Sequence, residues 1–70
     1  MKNVSEKTLI TCMVNLKCLG YFGRCFRPFT KKERIYIVDS LIERKWLTEK
    51  MTITNIGDSL IKSNLDLLQS

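Results

Sequence analysis

The segment from Lys45 to Gly57, KWLTEKMTITNIG, restricts the fold more than any other part of the chain. Upstream of it apolar residues recur at helical spacing, inside it polar and apolar residues alternate, and beyond it helical spacing resumes. A helix therefore ends near a tryptophan, an extended joint follows, and a new helix starts. Leu47, Met51 and Ile53 are expected to point inward while Thr48, Thr52 and Thr54 point outward, because side chains alternate across a strand. Two tiny strands turning at Glu49-Lys50 fit this pattern. Such a joint is either a structural corner in a small domain or the wing of a nucleic-acid-binding fold.

Three helices are expected around the joint. Ser5 caps the first, in which Leu9, Cys12, Met13, Leu16 and Leu19 form one apolar stripe flanked by Ile10 and Val14, with Lys7, Thr11, Asn15 and Lys17 facing solvent. Gly20 stops it. The stretch from Gly20 to Pro28 reads as a loop or a short extended segment, with Tyr21, Phe22 and Cys25 able to form a brief edge strand. Thr30 followed by Glu33 is a capping-box pattern that starts the second helix. Its expected inner face is Ile35, Val38, Ile42 and Trp46 with Leu41 at the margin, and its expected end is near Lys45 or Trp46. Ser40 followed by Glu43 repeats the capping pattern inside it, but the apolar spacing favours one unbroken helix. Thr54 or Asn55 caps the third, where Ile56, Leu60, Ile61, Leu67 and Leu68 cluster on one side with Leu65 beside them.

The expected class is thus mainly α with a minimal β-hairpin, in a single domain over 1–70. A chain of 70 residues rarely obtains more than ~3 to 5 kcal/mol from one core without disulfides, a metal or self-association. Homodimerisation is accordingly one expectation. The cysteines Cys12, Cys18 and Cys25 match no zinc pattern, and no histidine is present to complete a site. They read as free thiols of a reducing cytoplasm, with Cys12 and Cys18 packed as small hydrophobes. Leu9-Ile10-Thr11-Cys12 has the outline of a lipoprotein cleavage box, but Glu6 interrupts the basic start and the apolar run is too short for a signal peptide. No metal, cofactor or membrane is expected.

Twelve Lys and Arg against seven Asp and Glu give a net charge of +5, which suits a polyanionic partner. The cations concentrate between Arg24 and Arg34. Arg24, Arg27, Lys31, Lys32 and Arg34 bracket the expected start of the second helix, where unsatisfied N–H groups and the helix dipole favour anions. Tyr21, Phe22, Phe26 and Phe29 are interleaved with these cations, a mixture able to stack on bases. The same aromatics equally serve a small core, and a charge run is commonly just solvated surface.

The segment TKKERIYIVDSLIERKWLTEKMTITNIGDSLI, from Thr30 to Ile61, resembles the C-terminal half of winged-helix DNA-binding domains. The resemblance rests on the corner Leu41-Ile42-Glu43-Arg44-Lys45-Trp46-Leu47 and on the turn Ile53-Thr54-Asn55-Ile56-Gly57. It implies a compact three-helix winged-helix-like domain whose recognition helix starts after Thr30. Lys31, Lys32, Arg34 and Tyr36 would then face the major groove or its phosphates. Arg24 and Arg27 would approach the backbone from the preceding loop, and Lys50 would be the wing's phosphate contact. The family normally places two helices before its recognition helix, whereas one is expected here, and the connection from Gly20 to Pro28 has room for a helical turn but not for a full helix.

No catalytic residues are expected, because Glu33, Asp39, Glu43 and Asp58 fall on expected solvent faces and no Gly-rich phosphate loop occurs. The leading functional expectation is a small basic protein that binds duplex DNA as a transcriptional regulator or accessory factor. The alternative is a protein-interaction module, a modulator or inhibitor of a macromolecular partner of the kind mobile elements encode. It would act, or form a homodimer, through Leu60, Ile61, Leu65 and Leu68. A helical domain with an idle basic face is the third reading.

Overall fold

A computed structural model describes residues 4–68. Among the described residues there are three helices, α1 (Glu6–Leu19), α2 (Lys31–Glu43) and α3 (Asn55–Lys62), and two 3-10 turns, Gly23–Phe26 before α2 and Leu65–Leu67 after α3. The fold is mainly helical. Among the described residues, extended pairing amounts to one antiparallel bridge, Leu47 to Ile53.

Ser5 caps α1 as expected, its Oγ accepting from the Thr8 N–H at 3.2 Å. Gly20 closes it in the left-handed region (φ +80°), donating its N–H to the Leu16 carbonyl at 3.0 Å, a conformation glycine adopts without a Cβ penalty. Because α1 touches α2, α3 and both 3-10 turns, its middle is enclosed nearly all round. Thr11 and Asn15, expected to face solvent, are buried with Leu9, Cys12, Met13 and Val14. Each has a partner for its polar group, as burial requires: Thr11 Oγ1 donates to the Lys7 carbonyl at 2.8 Å and Asn15 Nδ2 to the Phe22 carbonyl at 2.9 Å.

The chain after Gly20 forms no edge strand and takes up the helical turn for which the connection has room. Gly23, again left-handed at φ +62°, opens the 3-10 turn that stacks Phe22 on Phe26, with ring centroids 4.3 Å apart. Cys25 is tucked inward and donates from Sγ to the Phe22 carbonyl at 2.9 Å. The buried thiols are therefore Cys12 and Cys25, while Cys18 is exposed. The side-chain hydrogen bond between Cys12 and Cys25 holds the Cys12 thiol far above its ordinary value, with burial adding to the shift. The same contact lowers Cys25.

The Thr30–Glu33 capping box forms in full: Thr30 Oγ1 accepts from the Glu33 N–H at 3.2 Å, and Glu33 Oε1 accepts from the Thr30 N–H at 2.8 Å. α2 is one unbroken helix, with Ser40 Oγ turned back onto the Tyr36 carbonyl at 2.8 Å. Its inner face is Ile37 and Leu41, not the expected row: Ile35 is 53 % exposed and Val38 and Ile42 are half-buried. Both rows have helical spacing, and packing into the shared core selects between them. α2 also ends at Glu43, earlier than expected. The Trp46 N–H returns to the Leu41 carbonyl at 3.1 Å and the Lys45 N–H to the Ile42 carbonyl at 3.0 Å, a Schellman closure with Lys45 at φ +67°. Trp46 therefore enters the core from beyond the helix.

The turn sits at Glu49-Lys50 as expected, but the strands shrink to the single bridge. Met51 donates to the Thr48 carbonyl at 2.9 Å and Thr48 to the Thr52 carbonyl at 2.8 Å. Met51 occupies the left-handed position of a three-residue hairpin loop (φ +68°), which turns its side chain outward rather than inward. The Thr54 N–H then bonds the Trp46 carbonyl at 3.1 Å, so the chain leaves the ladder one residue past Ile53. Thr54 Oγ1 caps α3 by accepting from the Gly57 N–H at 3.1 Å while donating to the Lys45 carbonyl. One side chain thus joins the end of α2 to the start of α3. A Cβ on Gly57 would overlap the Trp46 carbonyl oxygen and lie 2.9 Å from Met13 Cε. Only glycine allows this approach.

α3 is short. The Asn64 N–H and Nδ2 bond the Ile61 and Leu60 carbonyls, both at 2.9 Å, after Lys62. Leu65, Leu67 and Leu68 consequently do not extend its apolar face. Ile61 is 1 % exposed, in the core, and cannot line the partner or dimer surface expected of it. Leu60 and Leu67 are half-buried against the core, while Ile56, Leu65 and Leu68 remain exposed.

Candidate nucleic-acid interface

The expected contact residues divide into two groups. Arg24 and Arg27 flank the 3-10 turn, and Lys31, Lys32 and Arg34 occupy the first turn of α2; all are exposed. Arg34 joins the two elements. Its Nε donates to the Phe26 carbonyl at 2.9 Å and its guanidinium lies 5.8 Å from the Phe26 ring centroid. Arg34 is therefore held over the aromatic turn through one of its five N–H donors. Tyr36 stands one turn further along α2, 46 % exposed. Lys50 does not belong to this group: α2 rises about 20 Å over its length, and the turn carrying Lys50 departs from its far end.

The aromatic side chains are less available than their interleaving implies. Phe22 and Phe26 stack on each other and, with Phe29, pack against the core. Only Tyr21 is well exposed. Tyr21, Phe22 and Phe26 with Gly23, Arg24 and Arg27 line an open cleft of about 540 Å³.

The start of α2 is not an anion socket. Glu33, expected on a solvent face, is buried in the capping box, and its carboxylate occupies the positive end of the helix dipole. Any phosphate must be held from the sides, by the cations. The chain matches no protein-family model, no curated protein and no solved structure. The site has to be read from its own chemistry.

That chemistry has one feature legible in the sequence but easily missed. No carboxylate occurs between Glu6 and Glu33, while Lys7, Lys17, Arg24, Arg27, Lys31 and Lys32 all fall within that interval. With Glu33 buried, no acid from this interval screens the cations of the aromatic turn. The remaining carboxylates lie later: Asp39 and Glu43 further along α2, Glu49 at the turn, Asp58 on α3 and Asp66 beyond it. Asp58 is engaged between two lysines, Lys62 Nζ at 3.2 Å and Lys17 Nζ at 3.5 Å. Among the described residues no cluster of His, Cys, Asp or Glu could hold a metal ion, and no helix is long and apolar enough to cross a membrane.

Proposed function

We propose that this protein binds duplex DNA through the basic end of α2 and the adjoining aromatic turn, as a small transcriptional regulator or accessory factor of the cytoplasm. The observation that carries the reading is the carboxylate-free run ending in Arg24, Arg27, Lys31 and Lys32, with Arg34 fastened over Phe26. Backbone phosphates would meet these cations, and Lys32 and Tyr36 on the outer face of α2 would approach base edges. A winged-helix-like architecture accords with the element order. The 3-10 turn would stand where such domains carry their second helix, α2 would be the recognition helix, and the Glu49-Lys50 turn would be a vestigial wing. The close approach of Gly57 to the Trp46 carbonyl, which packs the Leu41–Leu47 corner against the Ile53–Gly57 turn, supports this reading.

A salt-titrated binding measurement on duplex DNA tests this reading. About four phosphate contacts predict roughly a 10²-fold loss of affinity between 50 and 200 mM salt, since each contact releases counterions. Arg24→Ala with Arg27→Ala should weaken binding to all sequences alike and flatten the salt slope. Absence of duplex binding at low ionic strength removes the proposal.

One observation favours a second reading, docking to a macromolecular partner through the α3 side. Ile56 is 58 % exposed, and with Trp46 and Leu60 it lines an open cleft of about 520 Å³. Exposed Leu65 and Leu68 lie in the following segment. Exposed apolar patches of this kind mark contact surfaces. This reading gains if DNA binding fails while Ile56→Ser suppresses binding of a hydrophobic reporter dye to the native protein.

A further inference from the structure

Beyond its basic end, α2 carries an apolar row that the core does not fully use. Ile35, Val38 and Ile42, preceded by the aliphatic stem of Lys31, recur at intervals of four, three and four residues, the repeat of a two-helix seam. At ~100° per residue, this row faces about 120° away from Ile37 and Leu41. Ile35 is more than half exposed. It lines, with Val38, Phe26, Lys31, Arg34 and Asp39, an open cleft of about 300 Å³.

The row is its own antiparallel complement. A two-fold axis between Ile35 and Val38 sets Ile35 against the partner's Val38 and lays the Lys31 stem over the partner's Ile42. On one flank the same operation brings Lys32 to the partner's Asp39, and by symmetry Asp39 to the partner's Lys32. Neither residue enters an ion pair among the described residues, and both are exposed. A parallel pairing would instead gather Lys31, Lys32 and Arg34 of both copies at one end, which like-charge repulsion opposes. The α3 surface lacks this complementarity, since its charges Asp58 and Lys62 already pair with each other.

We propose that two copies of this chain associate through α2, antiparallel, with Ile35 and Val38 at the centre and Lys32–Asp39 pairs at the rim. The seam spans only about 17 Å along the helix, so it supports a reversible monomer–dimer equilibrium. In the dimer the two basic ends point in opposite directions, and because Lys31 and Lys32 lie in the seam, self-association and duplex binding through α2 compete for the same side chains.

Sedimentation equilibrium without nucleic acid tests the interface independently of DNA binding. The parent chain should show a concentration-dependent dimer. Lys32→Asp and Asp39→Lys should each weaken it at least tenfold, because each sets like charges opposite one another. An equimolar mixture of these two variants should recover association as a heterodimer, and Ile35→Glu should abolish it; circular dichroism checks that each variant remains folded. A parent that stays monomeric into the millimolar range overturns the proposal. So does a dimer indifferent to both charge reversals, or one dissolved by Ile56→Glu instead.

Discussion

Asn15 Nδ2 donates to the Phe22 carbonyl at 2.9 Å from a fully buried position on α1. This bond, with that of Cys25 Sγ to the same oxygen, fixes the turn on which Phe26, and through it Arg34, are placed. Asn15→Leu should cost about 1–3 kcal/mol, the penalty for removing a partner of a buried polar group. Urea unfolding reads the loss. An unchanged midpoint would show that the turn is held by its aromatic packing alone.

Gly57→Ala tests the close approach of α3 to the α2 corner. Its Cβ would meet the Trp46 carbonyl, a backbone atom that cannot rotate away. Overpacking of this kind costs ~1–3 kcal/mol or more, which should lower the thermal midpoint substantially. Ser59→Ala, at an exposed position of the same helix, serves as the control.

Lys45→Gly should act in the opposite direction. Lys45 closes the Schellman turn at φ +67°, a conformation costing a non-glycine residue about 1–2 kcal/mol. The greater freedom of glycine in the unfolded chain offsets part of this, leaving a gain of about 0.5–1 kcal/mol. A higher urea midpoint at unchanged slope is the expected result.

Asp58 supplies a pH dependence. The hydrogen bond from Lys62 is the chief cause that holds its carboxyl below the usual range; desolvation opposes it, and the charges of Lys62 and Lys17 reinforce it. A depressed carboxyl contributes stability that is fully present above its unfolded value, about 3.9, and is lost as pH falls through the folded value. Asp58→Asn should therefore be less stable than the parent near neutrality, and the two should converge at the acid end of a urea series run from pH 6 to 2. Added salt should narrow the difference, because these charges are partly exposed.

The helix starts were legible in the sequence because capping is local. Ser5, Thr30 and Thr54 each bond a backbone N–H three residues away, so the pattern and its partner lie in the same short stretch. Gly20 and the turn at Glu49-Lys50 were legible for the same reason. The charge run through Arg24, Arg27, Lys31 and Lys32 likewise needed no folding to be seen.

What tertiary structure alone decided is which of several equivalent local patterns is used. α2 has two apolar rows at helical spacing, and the core assembled from several elements buries Ile37 and Leu41 while leaving Ile35 exposed. Thr11 and Asn15 read as solvent-facing because they are polar, yet α1 is surrounded, and burial becomes tolerable once Lys7 and Phe22 offer carbonyls. The leucines after Asn64 fit a helical face, but side-chain and backbone bonds to the Leu60 and Ile61 carbonyls end the helix first. Local hydrogen bonding is encoded within a few residues. The choice of buried face depends on which surface another segment brings against it.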